Sequence, residues 1–187
     1  MSGALWTVIV IVVIIAILAV VALALLPRMR SRRLRDRFGP EYDRTVAEAQ
    51  NRKVAERELT EREKRHEQLE LRELTEDEKR RYGLQFAQVQ EQFIDDPAGA
   101  LGAADQLLTR VMGERGYPTG SYDQQVADLS VTHARPLEEY RTAHEIAGRA
   151  GRGEASTEDM RSAIVSYRAL FVDLLDGRDA GQPAHRK

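Results

Sequence analysis

The sequence predicts an all-α protein: an N-terminal transmembrane helix, a charged helical stalk and a C-terminal bundle of about four to five helices. Three observations carry this. The run from Ala4 to Leu26 contains no charged residue. The region Arg52–Arg81 is dense in charges of both signs. Beyond Leu74, apolar residues recur at helical spacing, and no part of the chain outside the N-terminal run shows sustained two-residue alternation. The expected boundaries are 1–37 for the anchor and its basic flank, 38–74 for the stalk, 75–177 for the bundle and 178–187 for a disordered tail.

Between Ala4 and Leu26, Thr7 is the one hydroxyl side chain. A helix of about 23 residues is roughly 34 Å long, enough for a hydrocarbon core of about 30 Å. Its many Ile and Val residues are weak helix formers in water, but lipid forces the backbone to satisfy its own hydrogen bonds. Trp6 sits at one end, where an indole favours the interface. The competing reading is a signal peptide cleaved after Ala22-Leu23-Ala24. The missing basic n-region and the long apolar run favour retention.

Orientation follows from charge. Arg28, Arg30, Arg32, Arg33, Arg35 and Arg37 follow the apolar run, with Asp36 alone opposing them. The positive-inside rule then puts the N-terminus outside and the remaining chain in the cytoplasm of a bacterial inner membrane. The same arginines are candidate ligands for lipid headgroups. From Phe38 onward the chain is net acidic, which argues against nucleic acid. Cysteine is absent, which excludes disulfides, thiol nucleophiles and cysteine-ligated metals. Arginine outnumbers lysine, and alanine and glycine are frequent, as in proteins from GC-rich bacteria.

Phe38-Gly39-Pro40 punctuates the chain. The stalk that follows has a thin apolar stripe: Tyr42, Val46, Ala49, Leu59 and Leu69. Glu58/Arg62 and Glu61/Arg65 stand at i,i+4, where a pair stabilises a helix by about 0.2–0.5 kcal/mol. The stalk reads as a solvated, coiled-coil-like spacer, with a partner-binding seam as the alternative.

In the bundle, Thr75 to Glu78 reads as a capping box. Tyr82, Phe86, Val89 and Phe93 line one face of the next helix. Asp96-Pro97 supplies an N-cap and a first-turn proline. The stripe Leu101, Ala104, Leu108, Val111 and Met112 ends at Gly116, with Pro118 beyond. A short helix is expected near Ser121, another with Pro136 in its first turn, and a last one from Ser156 or Thr157 to Gly177.

Candidate chemistry is sparse. His133, Leu137, Tyr140, His144 and Ala147 fall on one helical face. With Arg161 or Arg168 from the last helix, His133, Tyr140 and His144 would form a candidate polar pocket; otherwise they are packing residues with one hydrogen bond each. His133 and His144 are about three turns apart, too far to share a metal. Glu63 and His66 match one Glu-x-x-His unit, and a di-iron bundle needs two. Asp95 and Asp96 are explained by the helix they precede. No phosphate loop, hydrolase elbow, zincin motif or dinucleotide fingerprint is present. No catalytic residue, metal ligand or cofactor is expected.

The stretches "FGPEYDRTV", "EREKRHEQLELREL", "VQEQFIDDPAGAL", "VMGERGYP", "DLSVTHARPLEEYRTAHEI" and "GEASTEDMRSAIVSYRALFVDLL" resemble an uncharacterised bacterial family of small single-pass membrane proteins with a C-terminal helical domain. The resemblance covers nearly all of the chain. It implies the anchor-plus-helical-domain layout and no activity or site residue. The function expected by elimination is a membrane-anchored, non-enzymatic interaction or scaffold role, with membrane lipids and a protein as partners. The alternatives are a ligand-binding or enzymatic domain using the Tyr140/His144 face, and an exported envelope protein.

Overall fold

Local signals set the helix ends. In the computed structural model, which describes Trp6, Ile11, Val13, Ile14 and residues 28–177, Thr75 Oγ1 accepts from the Glu78 amide at 3.2 Å and Glu78 Oε2 accepts from the Thr75 amide at 2.8 Å. Ser156 and Asp159 repeat the same reciprocal box. Asp96 accepts from the Gly99 amide at 2.9 Å, with Pro97 at the first helical position. Ser121 and Asn51 cap two further helices. Such caps each stabilise a helix by about 1 kcal/mol.

Among the described residues the chain is all α-helix, with no strand. A helical stretch 28–38 (α1) is followed by α2 (Pro40–Glu48), α3 (Arg52–His66), α4 (Glu76–Asp95), α5 (Pro97–Arg115), α6 (Tyr122–Leu129), α7 (Ala134–Ala150) and α8 (Thr157–Asp176). Gly116 ends α5 in the left-handed region at φ 94°. A Cβ there would stand 2.5 Å from the Glu70 carbonyl oxygen, so the turn requires glycine on two counts.

The helices α4 to α8 form the bundle. α7 packs along α8, α5 along both α4 and α8, and the short α6 against α7. Leu101, Leu107, Leu108, Val111 and Met112 of α5 meet Leu137 of α7 and Leu170 and Leu174 of α8 in one core. Phe86 of α4 stacks on Phe171 of α8 with ring centroids 4.6 Å apart. Each fully buried side chain of this size contributes about 1.5–3 kcal/mol. The core reaches back beyond Thr75. Leu74 is buried in it, and Leu69 and Leu71 pack against it. Arg115 is fully buried there too. Its Nη1 donates to the Leu174 carbonyl at 3.2 Å and its Nε to the Arg72 carbonyl at 3.4 Å. The Arg72 amide returns a bond to the Arg115 carbonyl at 3.0 Å.

The segment expected as an exposed stalk is folded. Gly39, at φ 49°, and Pro40 separate α1 from α2. α2 packs on α3 and α7, and α3 on α6. Leu34, Phe38, Tyr42 and Leu59 close over Val131 of the bundle in a second, small apolar cluster. The thin stripe suffices because carboxylates share the burial. Glu41 and Glu63 are buried as well, each against arginines. We call α1 to α3 the brace.

Among the described residues no helix is long and apolar enough to cross a membrane. Apart from Trp6, Ile11, Val13 and Ile14, the apolar run Ala4–Leu26 lies outside the described residues, as does the tail 178–187. Those four side chains are helical and exposed.

Candidate functional site

The polar groups of the bundle converge on Asp105. This α5 residue sits beside the apolar stripe. Its Oδ1 accepts from Tyr167 Oη of α8 at 3.1 Å, from Tyr140 Oη of α7 at 3.4 Å and from His144 Nδ1 of α7 at 3.0 Å. Tyr122 of α6 stacks on the His144 imidazole, with centroids 3.9 Å apart and planes 11° apart. The rings of Tyr140 and Tyr167 meet edge to face.

The electrostatics define the protonation states. Burial works to raise the Asp105 pKa. The hydrogen bond and charge of His144 and the two tyrosine hydroxyls outweigh it, and the group is held below its ordinary value. Burial first, and then the Asp105 charge, push Tyr140 and Tyr167 far above the ordinary phenol range. Asp105 is therefore an acceptor only, and the tyrosines stay donors. Nδ1 of His144 must carry the proton, which leaves the Nε2 lone pair bare in the neutral ring. Nε2 makes no hydrogen bond to another described residue, and the His144 side chain is 37% exposed, so solvent reaches it. The ring lines a cleft of ≈ 530 Å³ formed with Arg44 of α2, Tyr122 and Asp123 of α6, and Glu138, Arg141, Thr142 and Glu145 of α7.

Tyr140 and His144 thus come together as the sequence suggests, but the arginines expected with them do not join. Arg161 pairs with Glu158 in the exposed first turn of α8. Arg168 is exposed, one position past Tyr167. Their place is taken by Asp105, which no local pattern marked except its position as a lone acid in the otherwise uncharged "LGAADQLL". His133 belongs to a different site. It is buried, with Nδ1 2.6 Å from Asp173 Oδ2 and Nε2 3.2 Å from Tyr117 Oη. His66 lies not on an exposed face but against Tyr117, with centroids 6.1 Å apart. Among the described residues no group of three His, Asp or Glu could hold a metal ion.

The basic flank is also placed differently. Arg33 reaches Glu63 Oε1 at 2.8 Å and Arg37 reaches the same oxygen at 3.4 Å. Arg35 pairs with Asp43 at 2.7 Å and lies over the Tyr42 ring. Arg30 donates to Thr60 at 2.8 Å. Arg28 and Arg32 are exposed. Arg30, Arg33, Arg35 and Arg37 each find an acid or a hydroxyl on α2 or α3, while the Arg33 and Arg35 side chains stay 68% and 61% exposed.

Charge also joins brace to bundle. Glu41 Oε1 accepts from Arg62 of α3 at 2.9 Å and from Arg141 of α7 at 2.6 Å. Arg65 of α3 donates at 3.0 Å to Asp128 of α6, which is fully buried. The expected Glu61/Arg65 pair gives way to this contact, whereas Glu58 and Arg62 do pair. Arg44 reaches Glu138 at 3.3 Å. Comparison with protein-family models, with curated proteins and with solved structures returned no match.

Proposed function

We propose that the chain is a membrane-anchored, non-enzymatic interaction or scaffold protein that presents its bundle at the cytoplasmic face of a bacterial inner membrane. One observation carries the reading. The arginine flank that follows the apolar run is built into the brace, and the brace is bonded to the bundle through Glu41–Arg141 and Arg65–Asp128. A domain so joined is held close to the end of a span rather than on a solvated spacer. The uncharged run Ala4–Leu26, the arginine asymmetry and the family resemblance support the span and its direction. Arg28 and Arg32 are exposed and stay candidate ligands for headgroups, with the other flank arginines.

The absence of cysteine gives a direct test. Single-cysteine variants Ser2→Cys and Ala184→Cys are exposed, in intact cells, to a thiol reagent that does not cross the inner membrane. Labelling of Ser2→Cys alone supports the proposal. Labelling of Ala184→Cys places the bundle in the envelope and refutes the orientation. Release of the chain by alkaline washing of membranes refutes the anchor. A second reading, chemistry at the Tyr140/His144 face, has its own support in the Asp105-bonded His144, whose side chain lines the Arg44/Arg141 cleft.

A further inference from the structure

We propose that His144 is a phosphoryl-acceptor site, modified at Nε2 by a donor of the acyl phosphate or phosphoramidate class. The proposal rests on the second reading above and gives it a substrate.

A histidine nitrogen attacks only as a lone pair, and an adjacent group that holds the other nitrogen's proton fixes which lone pair is available. Asp105 does this at 3.0 Å, while Tyr140 and Tyr167 hold Asp105 itself from two other helices. The Tyr122 stack covers one face of the ring and stops it turning. The reactive edge is thereby aimed before any donor arrives.

Arg44 and Arg141 line the same cleft, and guanidinium forks suit phosphoryl oxygens. Both are shared with acids. Arg44 pairs with Glu48 and Glu138, and Arg141 with Glu41. Glu145 and Asp123 add negative charge to the lining. This balance disfavours a freely bound phosphate dianion. A phosphoryl group on His144 is held here when the two guanidiniums turn to it from these acids.

The step balances. The Nε2 lone pair forms the N–P bond as the P–O bond of an acyl phosphate breaks, and the electron pair leaves with the carboxylate; from a phosphoramidate protonated on nitrogen the P–N bond breaks and the pair leaves with the amine. The Nδ1 proton remains on the ring, and the Asp105 carboxylate offsets the new imidazolium charge. Asp105 is in this scheme a positioning residue.

The test uses the full chain in detergent with acetyl phosphate, and separately with phosphoramidate. Modification is followed as an acid-labile, alkali-stable mass gain and assigned by peptide mapping. His185 in the same chain serves as the reference histidine. The expected result is labelling of His144 at least about tenfold faster than His185. Asp105→Leu, which removes the acceptor, should slow it by about tenfold or more and release the fixed Nδ1 tautomer in NMR of isotope-labelled histidine, whereas Asp105→Asn, whose Oδ1 still accepts from Nδ1, should retain the tautomer and slow it less. Labelling of His144 no faster than His185 overturns the proposal. Diethyl pyrocarbonate separates the two readings. If it modifies His144 rapidly and neither phosphoryl donor does, the phosphoryl proposal fails and the site reading stands. If none of the reagents favours His144, both fail.

Discussion

Brace and bundle are both all-helical, yet different forces hold them. In the bundle, α5 buries Leu101, Leu107, Leu108, Val111 and Met112 against two neighbouring helices. In the brace, the apolar cluster is Leu34, Phe38, Tyr42 and Leu59 over Val131, and the remaining burial is of Ala55, Ser31 and Thr45 and of two acids, Glu41 and Glu63. Glu41, Glu63 and Asp128 are nearly or fully inaccessible, and arginines satisfy each of them. A hydrophobic contact tolerates sliding, whereas a buried carboxylate left without its cation is strongly penalised. The brace therefore trades depth of core for strictness of placement.

The comparison breaks most clearly in the bundle core. Leu108→Ala should cost about 2–5 kcal/mol and lower the main denaturant transition, read by circular dichroism. An unchanged transition would mean that the core is looser than its burial implies. Glu41→Gln should cost about 1–3 kcal/mol and act on the brace and on its junction with α7 through Arg141, leaving α5 and α8 untouched. Hydrogen exchange would then rise in α2 and α3 while α5 and α8 keep their protection, and equal loss in all four would dissolve the distinction between the two regions. Thr75→Ala, which removes half of a capping box, should cost about 1 kcal/mol in the bundle.

The smallest expected effect depends on pH. Asp105 has a folded pKa below its unfolded value of about 3.9. Its contribution is complete above the unfolded value and is lost as pH falls through the folded one. The bundle should lose stability across that acid window, and Asp105→Asn should flatten this part of the profile in thermal melts taken at successive pH values.

The two regions also differ in how far they are legible in the sequence. The bundle could be read because its signals are local. Thr75, Asp96-Pro97, Gly116, Ser121 and Ser156 all lie where the helices begin or end. The brace could not, because its partners are distant. Arg65 finds Asp128 across 63 positions and Arg141 finds Glu41 across 100, whereas helical spacing offers candidates only within a turn. A charge-rich stretch resembles a solvated spacer whenever its counterions come from elsewhere in the fold. The candidate site shows the same division. Tyr140 and His144 share a face by the spacing of α7, while Asp105 and Tyr122 join them only through packing. Arg161 and Arg168 had the right chemistry on the wrong face of α8.

Arg115 decides where the chain can be cut. Its guanidinium is satisfied by the carbonyls of Arg72 and Leu174, which lie on opposite sides of it in the sequence. A fragment that starts at Thr75 discards the first acceptor, and one that stops short of Leu174 discards the second. Either leaves a cation in the core with fewer acceptors. A piece of the bundle that keeps this guanidinium satisfied must therefore begin upstream of Arg72 and extend beyond Leu174, and one that also keeps the cation of Asp128 must begin upstream of Arg65.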